Sequence, residues 1–120
     1  MATTRNIENK SPLPTLVRDA LDKASKEDKL VLLDFYASWC GPCKRMSKET
    51  LANPTVAKEL ERFIVLKVDT DKNPEISKWY GVAGIPDVRI LAADGTELDK
   101  IIGFKPASEF QQILAKAKSR

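Results

Sequence analysis

The chain has 120 residues, 42% of them hydrophobic, which fits one compact domain with one core and is too short for two domains of ordinary size. Its net charge of +3 comes from 20 basic and 17 acidic residues spread along the chain, so no basic stripe of the kind nucleic acid requires is present and no nucleic-acid partner is expected. It contains two cysteines and no histidine, which excludes a multi-bridge disulfide scaffold, Cys-His nucleophilic catalysis, histidine-ligated zinc and a histidine general base.

The first ten residues are polar, and residues 1–12 are expected to form a flexible segment ahead of a domain over residues 13–120. No apolar run approaches the ~18 residues needed to cross a bilayer, and the first twenty residues lack the apolar stretch of a secretory signal. The expectation is therefore a soluble cytoplasmic monomer without membrane insertion. The alternative is a periplasmic or secreted protein whose signal peptide is not part of this sequence.

Over residues 14–26, Leu13, Leu16, Val17, Ala20, Leu21 and Ala24 recur at helical spacing and predict an amphipathic helix. Residues 30–37 then form a short, nearly continuous apolar run, the pattern of a strand buried on both faces of a helix-covered sheet. Two cysteines follow at once, in Trp39-Cys40-Gly41-Pro42-Cys43-Lys44, and helix formers after Cys43 predict a helix over residues 43–51. Asn53-Pro54 restarts it over residues 54–61, with Val56 and Leu60 on the inner face.

Residues 63–69 read as the next buried strand, and Asn73-Pro74 repeats the cap signal for a short helix to Trp79. Gly84-Ile85-Pro86 leads into a strand over residues 87–92, Asp94-Gly95 signals a tight turn, and residues 97–102 form the partner strand of an antiparallel hairpin. Gly103 ends that strand. Pro106 opens a last helix through Lys118, with Phe110, Ile113, Leu114 and Ala117 inward. The fold class is α/β, a central mixed sheet with helices on both faces, and Cys40 falls beyond the carboxyl end of the first strand, where active groups gather.

A Cys-x-x-Cys at a helix start places the first sulfur near unpaired backbone N–H groups and the positive end of the helix dipole, which favours thiolate over thiol. Cys40 is the expected nucleophile. Cys43, one turn further in and expected to be more buried, would attack the mixed disulfide and release the substrate. Gly41 permits the sharp entry into the helix, and Pro42 fixes φ while giving up an N–H that a first turn does not use. Structural zinc wants four ligands and would require a dimer here, so no metal is expected.

These residues, in the order strand then Trp-Cys-Gly-Pro-Cys-Lys, resemble the thioredoxin family, and the similarity runs from about Leu30 to the last helix. The resemblance implies a thioredoxin fold and thiol:disulfide exchange on disulfide-containing protein substrates, recharged by an upstream dithiol or flavoprotein reductase, with no cofactor of its own. It matches Asp34, the one charged residue in the first apolar run, to the family's buried aspartate, a proton relay for Cys43 with Lys67 as its partner. A buried ion pair without a catalytic role is the other reading of that pair.

The resemblance further implies a cis Ile85-Pro86 bond against the disulfide. Trp39, Gly41, Pro42, Ile85, Pro86 and Gly103 would form the surface that docks an extended substrate segment, although Trp39 also reads as an ordinary half-buried aromatic.

Two departures from the family's pattern stand out. Lys48 replaces a helix-kinking proline, which predicts a straighter helix, and residues 48–56 more nearly resemble the soluble thioredoxin-like domains of bacterial thiol:disulfide interchange proteins. Asp87 replaces a threonine after Pro86, bringing a charge toward the sulfurs, with Arg89 two residues along the same strand face placed to neutralise it. Asp87 and Arg89 are thus candidates for specificity, or else part of a solvent-exposed strand edge.

The leading expectation is a protein-disulfide reductase, because Gly-Pro between the cysteines resembles reductant members. A disulfide isomerase or an exported reductase of the cytochrome-maturation type is the alternative of the same class. A non-catalytic thioredoxin-fold binding subunit is the alternative of another class.

Overall fold

The computed structural model describes residues 13–118, so the segment expected over residues 1–12 lies outside the described residues. Helix α1 (Thr15–Glu27) leads into strand β1 (Leu30–Tyr36). After the cysteine segment come α2 (Gly41–Arg45), a π-helical stretch (Met46–Leu51), α3 (Pro54–Glu59) and a single 3-10 turn (Leu60–Arg62). Strand β2 (Phe63–Asp69), α4 (Pro74–Trp79), β3 (Asp87–Leu91), β4 (Glu97–Ile102) and α5 (Ala107–Lys116) complete the chain.

The strands form one mixed sheet in the order β2-β1-β3-β4, with β1 parallel to β2 and antiparallel to β3, and β3 antiparallel to β4. Side-chain alternation sorts the apolar residues onto two faces. Val31, Leu33 and Phe35 pack with Val68 and Leu91 against Val17, Ala20, Leu21 and Ala24 of α1 and Ile76 of α4. Leu30 and Leu32 pack with Val88, Ile90 and Ile101 against Met46, Val56, Phe110 and Leu114 from the helices of the other side. Each such fully buried side chain contributes about 1.5–3 kcal/mol relative to exposure.

Leu16, expected inward, is exposed, because α1 buries the single stripe Val17, Ala20, Leu21 and Ala24 and Leu16 lies about 100° off it. Strand β2 is not buried on both faces as expected. It lies at an edge of the sheet, where Val65 and Lys67 reach solvent and only Phe63 and Val68 are fully covered. An apolar run reads alike whether a strand is central or at an edge with one well-covered face.

The helix after the cysteines does not run as one α-helix over residues 43–51, since its hydrogen bonding widens to the π pattern from Met46 to Leu51. There Thr50, fully buried, donates its hydroxyl hydrogen to the Lys105 carbonyl in the loop before α5, and just before that stretch Arg45, the last residue of α2, stacks 4.1 Å from the centre of the Phe104 ring. Asn53 caps α3 by accepting the Thr55 N–H at 2.9 Å, and α3 gives way after Glu59 to the 3-10 turn. The last helix ends at Lys116, short of Lys118, with Pro106 as its cap and Phe110 and Leu114 as its buried residues.

Candidate active site

Cys40 ends the loop that leaves β1 and caps α2 with extended backbone angles, and its Sγ accepts the Cys43 N–H at 3.2 Å. Pro42 sits in the first turn, where its missing N–H costs nothing. The two cysteines, 5.2 Å apart at Cα, are joined as a disulfide. Cys43 is not the more buried of the two: Cys40 is 4% and Cys43 7% exposed. The reason is Ile85, whose carbonyl oxygen lies 3.8 Å from the Cys40 sulfur while Ala37, Tyr36 and Ile85 close around both cysteines.

The Ile85-Pro86 bond is cis. The Pro86 carbonyl accepts the Gly103 N–H at 2.8 Å, and Gly103 holds φ +88, a left-handed angle that a side chain would strain. The structure thus sets Ile85 against the cysteines, with Pro86 next in the chain and Gly103 bonded to Pro86, while Gly41 and Pro42 lie between the two cysteines. Gly41 and Pro42 are exposed, Ile85 and Gly103 partly so, and Pro86 is buried.

Trp39 is 67% exposed, but it is not loose, because its indole N–H donates to Asp71 at 2.9 Å. Asp71 was not read from the sequence. It sits in the turn after β2, where its own N–H donates to the Asp69 side chain, and Asp69-Thr70-Asp71 is the kind of Asp-rich turn that could have marked it.

Asp34 is 4% exposed and lies on the sheet face toward the active-site helix, the face of Leu30 and Leu32. Burial pushes its pKa up from the ordinary 3.8, and the positive charge of Lys67 opposes that rise. Lys67 is its register neighbour on β2, yet among the described residues no ion pair joins them. The Lys67 ammonium is exposed and stands 5.3 Å from the centre of the Tyr36 ring. The two therefore interact through their charges at a distance.

Asp87 and Arg89 do not form the solvent-exposed strand edge that the sequence left open, nor does the Asp87 charge stand free beside the sulfurs. They lie on central strand β3, 1% and 3% exposed, on the α1/α4 face opposite Asp34. Arg89 does neutralise Asp87, donating to both its carboxylate oxygens at 2.7 and 2.9 Å, and a third nitrogen donates to Glu97 of β4 at 3.1 Å. The guanidinium also lies 5.8 Å from the centre of the Tyr80 ring. Burial and the Glu97 charge push the Tyr80 hydroxyl up to about 12, with Arg89 pulling the other way. Neither Glu97 nor Tyr80 was singled out from the sequence, since pairing across a hairpin is set by its register.

Among the described residues no cluster of three or more His, Cys, Asp or Glu side chains is placed to hold a metal ion, and no helix is long and apolar enough to cross a membrane. Residues 14–116 match the family model for thioredoxin. The chain belongs to the thioredoxin family. It is similar to the thioredoxin of Echinococcus granulosus, 37% identical over 82% of this chain and 89% of the relative.

It is also similar to the thiol:disulfide interchange protein DsbD of Neisseria meningitidis, 40% identical over 78% of this chain. The matched region spans only 17% of the length of that protein. Among solved structures, the oxidised C-terminal domain of Neisseria meningitidis DsbD superposes with a TM-score of 0.72 at 34% identity, covering 87% of this chain and 95% of that domain. A thioredoxin-family chain whose Cys-x-x-Cys pair closes a disulfide is a thiol:disulfide oxidoreductase.

Proposed function

We propose that this oxidoreductase works as a dithiol reductant of protein disulfides, with Cys40 as nucleophile and Cys43 as resolving thiol. The observation that carries the reading is the placement of Cys40 at a helix cap beside the Ile85 carbonyl, 3.8 Å away, flanked in sequence by the exposed Trp39, Gly41 and Pro42. An extended substrate strand lying along Ile85 would bring its sulfur to Cys40.

In the first step the Cys40 thiolate attacks one substrate sulfur, the substrate S–S bond breaks, a mixed disulfide forms, and the departing thiolate takes up a proton. In the second, Cys43 loses its proton and attacks the Cys40 sulfur. The mixed disulfide breaks, the substrate leaves as a dithiol, and the Cys40–Cys43 disulfide holds the two electron equivalents of oxidation. An upstream dithiol or flavoprotein reductase would return the pair to the thiol state.

Asp34 is the proposed acceptor for the Cys43 proton, because burial raises its affinity for protons and no hydrogen bond or ion pair among the described residues fixes it as a carboxylate. Lys67 tunes that affinity through its charge. The reading places the protein in a reducing compartment, the cytoplasm, acting as a monomer.

A second reading, an exported reductant module resembling the C-terminal domain of DsbD, is favoured by the similarity to that domain at 34% identity over 87% of this chain. A Cys43→Ser variant tests the exchange mechanism. Incubated with a disulfide-bonded protein it should accumulate a mixed disulfide through Cys40 that a Cys40→Ser variant does not form. Equal, non-covalent retention by a variant lacking both sulfurs would instead mean a binding subunit.

A further inference from the structure

The docking loop of residues 81–86 joins α4 to β3 and carries the Ile85 carbonyl that faces Cys40. Its two stems are Tyr80, just past the end of α4, and Asp87, the first residue of β3. Backbone hydrogen bonds hold both ends, Val82 N–H to the Ser77 carbonyl at 2.9 Å and Gly103 N–H to the Pro86 carbonyl at 2.8 Å. One side chain reaches both stems. The Arg89 guanidinium grips the Asp87 carboxylate through two nitrogens and lies 5.8 Å from the Tyr80 ring, within cation-π range, while Glu97 of β4 holds its remaining side.

The cluster carries two carboxylates for one guanidinium, and two of the three charged groups are almost wholly out of water. Removing ions from water costs several kcal/mol each, so such a pair adds little net stability over apolar residues of the same volume. What a bidentate pair supplies and an apolar pair does not is direction: a planar fork accepts its carboxylate in one orientation. That orientation is imposed on the residue next to Pro86, whose backbone is paired with Phe35 of β1 on one side and Ile102 of β4 on the other.

We propose that Arg89 and Asp87 are positioning residues that staple the two stems of the docking loop, setting where the Ile85 backbone meets a protein substrate. The Asp87 charge is spent on Arg89, so the pair acts through the loop and not by a field at the sulfur. This rests on the exchange reaction proposed above. A protein disulfide that lies along Ile85 depends on the staple. A small disulfide that reaches only the sulfur does not use the loop.

The test compares second-order rate constants of the reduced protein with insulin and with hydroxyethyl disulfide. In the double variant Asp87→Leu with Arg89→Met, which removes both charges together, the insulin-to-small-disulfide ratio should fall roughly tenfold, in line with the cost of misplacing a docking group. Arg89→Lys, which keeps the charge but loses the fork, should lower the same ratio by a smaller factor, and it carries the test if the double variant does not fold. A merely structural role would change both rates in proportion to the folded fraction, and an unchanged ratio in the folded variants overturns the proposal. If the unaltered protein reduces neither disulfide, the exchange reading itself fails, a result distinct from failure of the staple.

Discussion

The two faces of the sheet each bury an aspartate, and they treat it in opposite ways. On the α1/α4 face Asp87 is held by both nitrogens of the Arg89 fork, and Glu97 completes the cluster. On the face of the active-site helix, Asp34 has no hydrogen bond or ion pair among the described residues, and only the more distant charge of Lys67 offsets its burial. A carboxylate gripped through both oxygens by a guanidinium has a fixed orientation and a fixed partner. One left without a partner has its proton affinity raised, which suits it to proton transfer. The proposed roles follow this contrast, positioning for Asp87 and Arg89 on one face and proton transfer for Asp34 on the other.

The largest effect that would break this contrast is on the paired side. Arg89→Leu strands Asp87 as an uncompensated buried charge and should cost about 3–5 kcal/mol in denaturant unfolding. A loss below about 1 kcal/mol would mean that water or another group replaces Arg89 without penalty.

Asp34→Asn should do the reverse to stability and harm only chemistry. Resolution of the mixed disulfide by Cys43 should slow by about 10²-fold if Asp34 is its proton acceptor, measured by rapid mixing with a preformed mixed disulfide. Stability at neutral pH should rise, because the amide does not ionise and so escapes the cost of charging a carboxyl whose burial disfavours the charged form.

The sign of the pH dependence follows from the upward shift. The folded state holds the Asp34 proton more tightly than the unfolded chain, so its favourable contribution is complete below the ordinary 3.8 and is lost as pH rises through the raised folded value. The advantage of the Asn variant should therefore vanish in acid and grow toward neutrality. The smallest effect sharpens the paired side. Glu97→Gln, at a position 41% exposed, should cost no more than about 1 kcal/mol and should lower the Tyr80 hydroxyl from about 12, followed by ultraviolet titration.

Much of this architecture was legible because it rests on local rules. The apolar run of β1 broken only by Asp34, the Asn-Pro starts of α3 and α4, and the Asp94-Gly95 turn each state their structure within a few residues. The cysteine pair was legible for the same reason, since spacing and flanks carry its chemistry. What was missed depends on placement in three dimensions. The apolar residues of β2 do not reveal that the strand sits at an edge, and the π-helical stretch holds Thr50, whose partner, the Lys105 carbonyl, is distant in sequence. For Asp87 and Arg89 the sequence left a specificity role beside the sulfurs and an exposed strand edge both open, and their burial depends on Glu97 and Tyr80 arriving from other elements.

The central claim, a reducing dithiol built on Cys40 and Cys43, is tested most directly by the reduction potential of the pair, equilibrated against dithiothreitol or glutathione buffers and read by thiol alkylation. The account predicts a reversible two-electron couple at or below about −250 mV, near the value of about −270 mV known for thioredoxin itself. A couple near about −180 to −120 mV would contradict it in favour of an isomerase or oxidant, and no reversible couple at all would contradict exchange chemistry altogether.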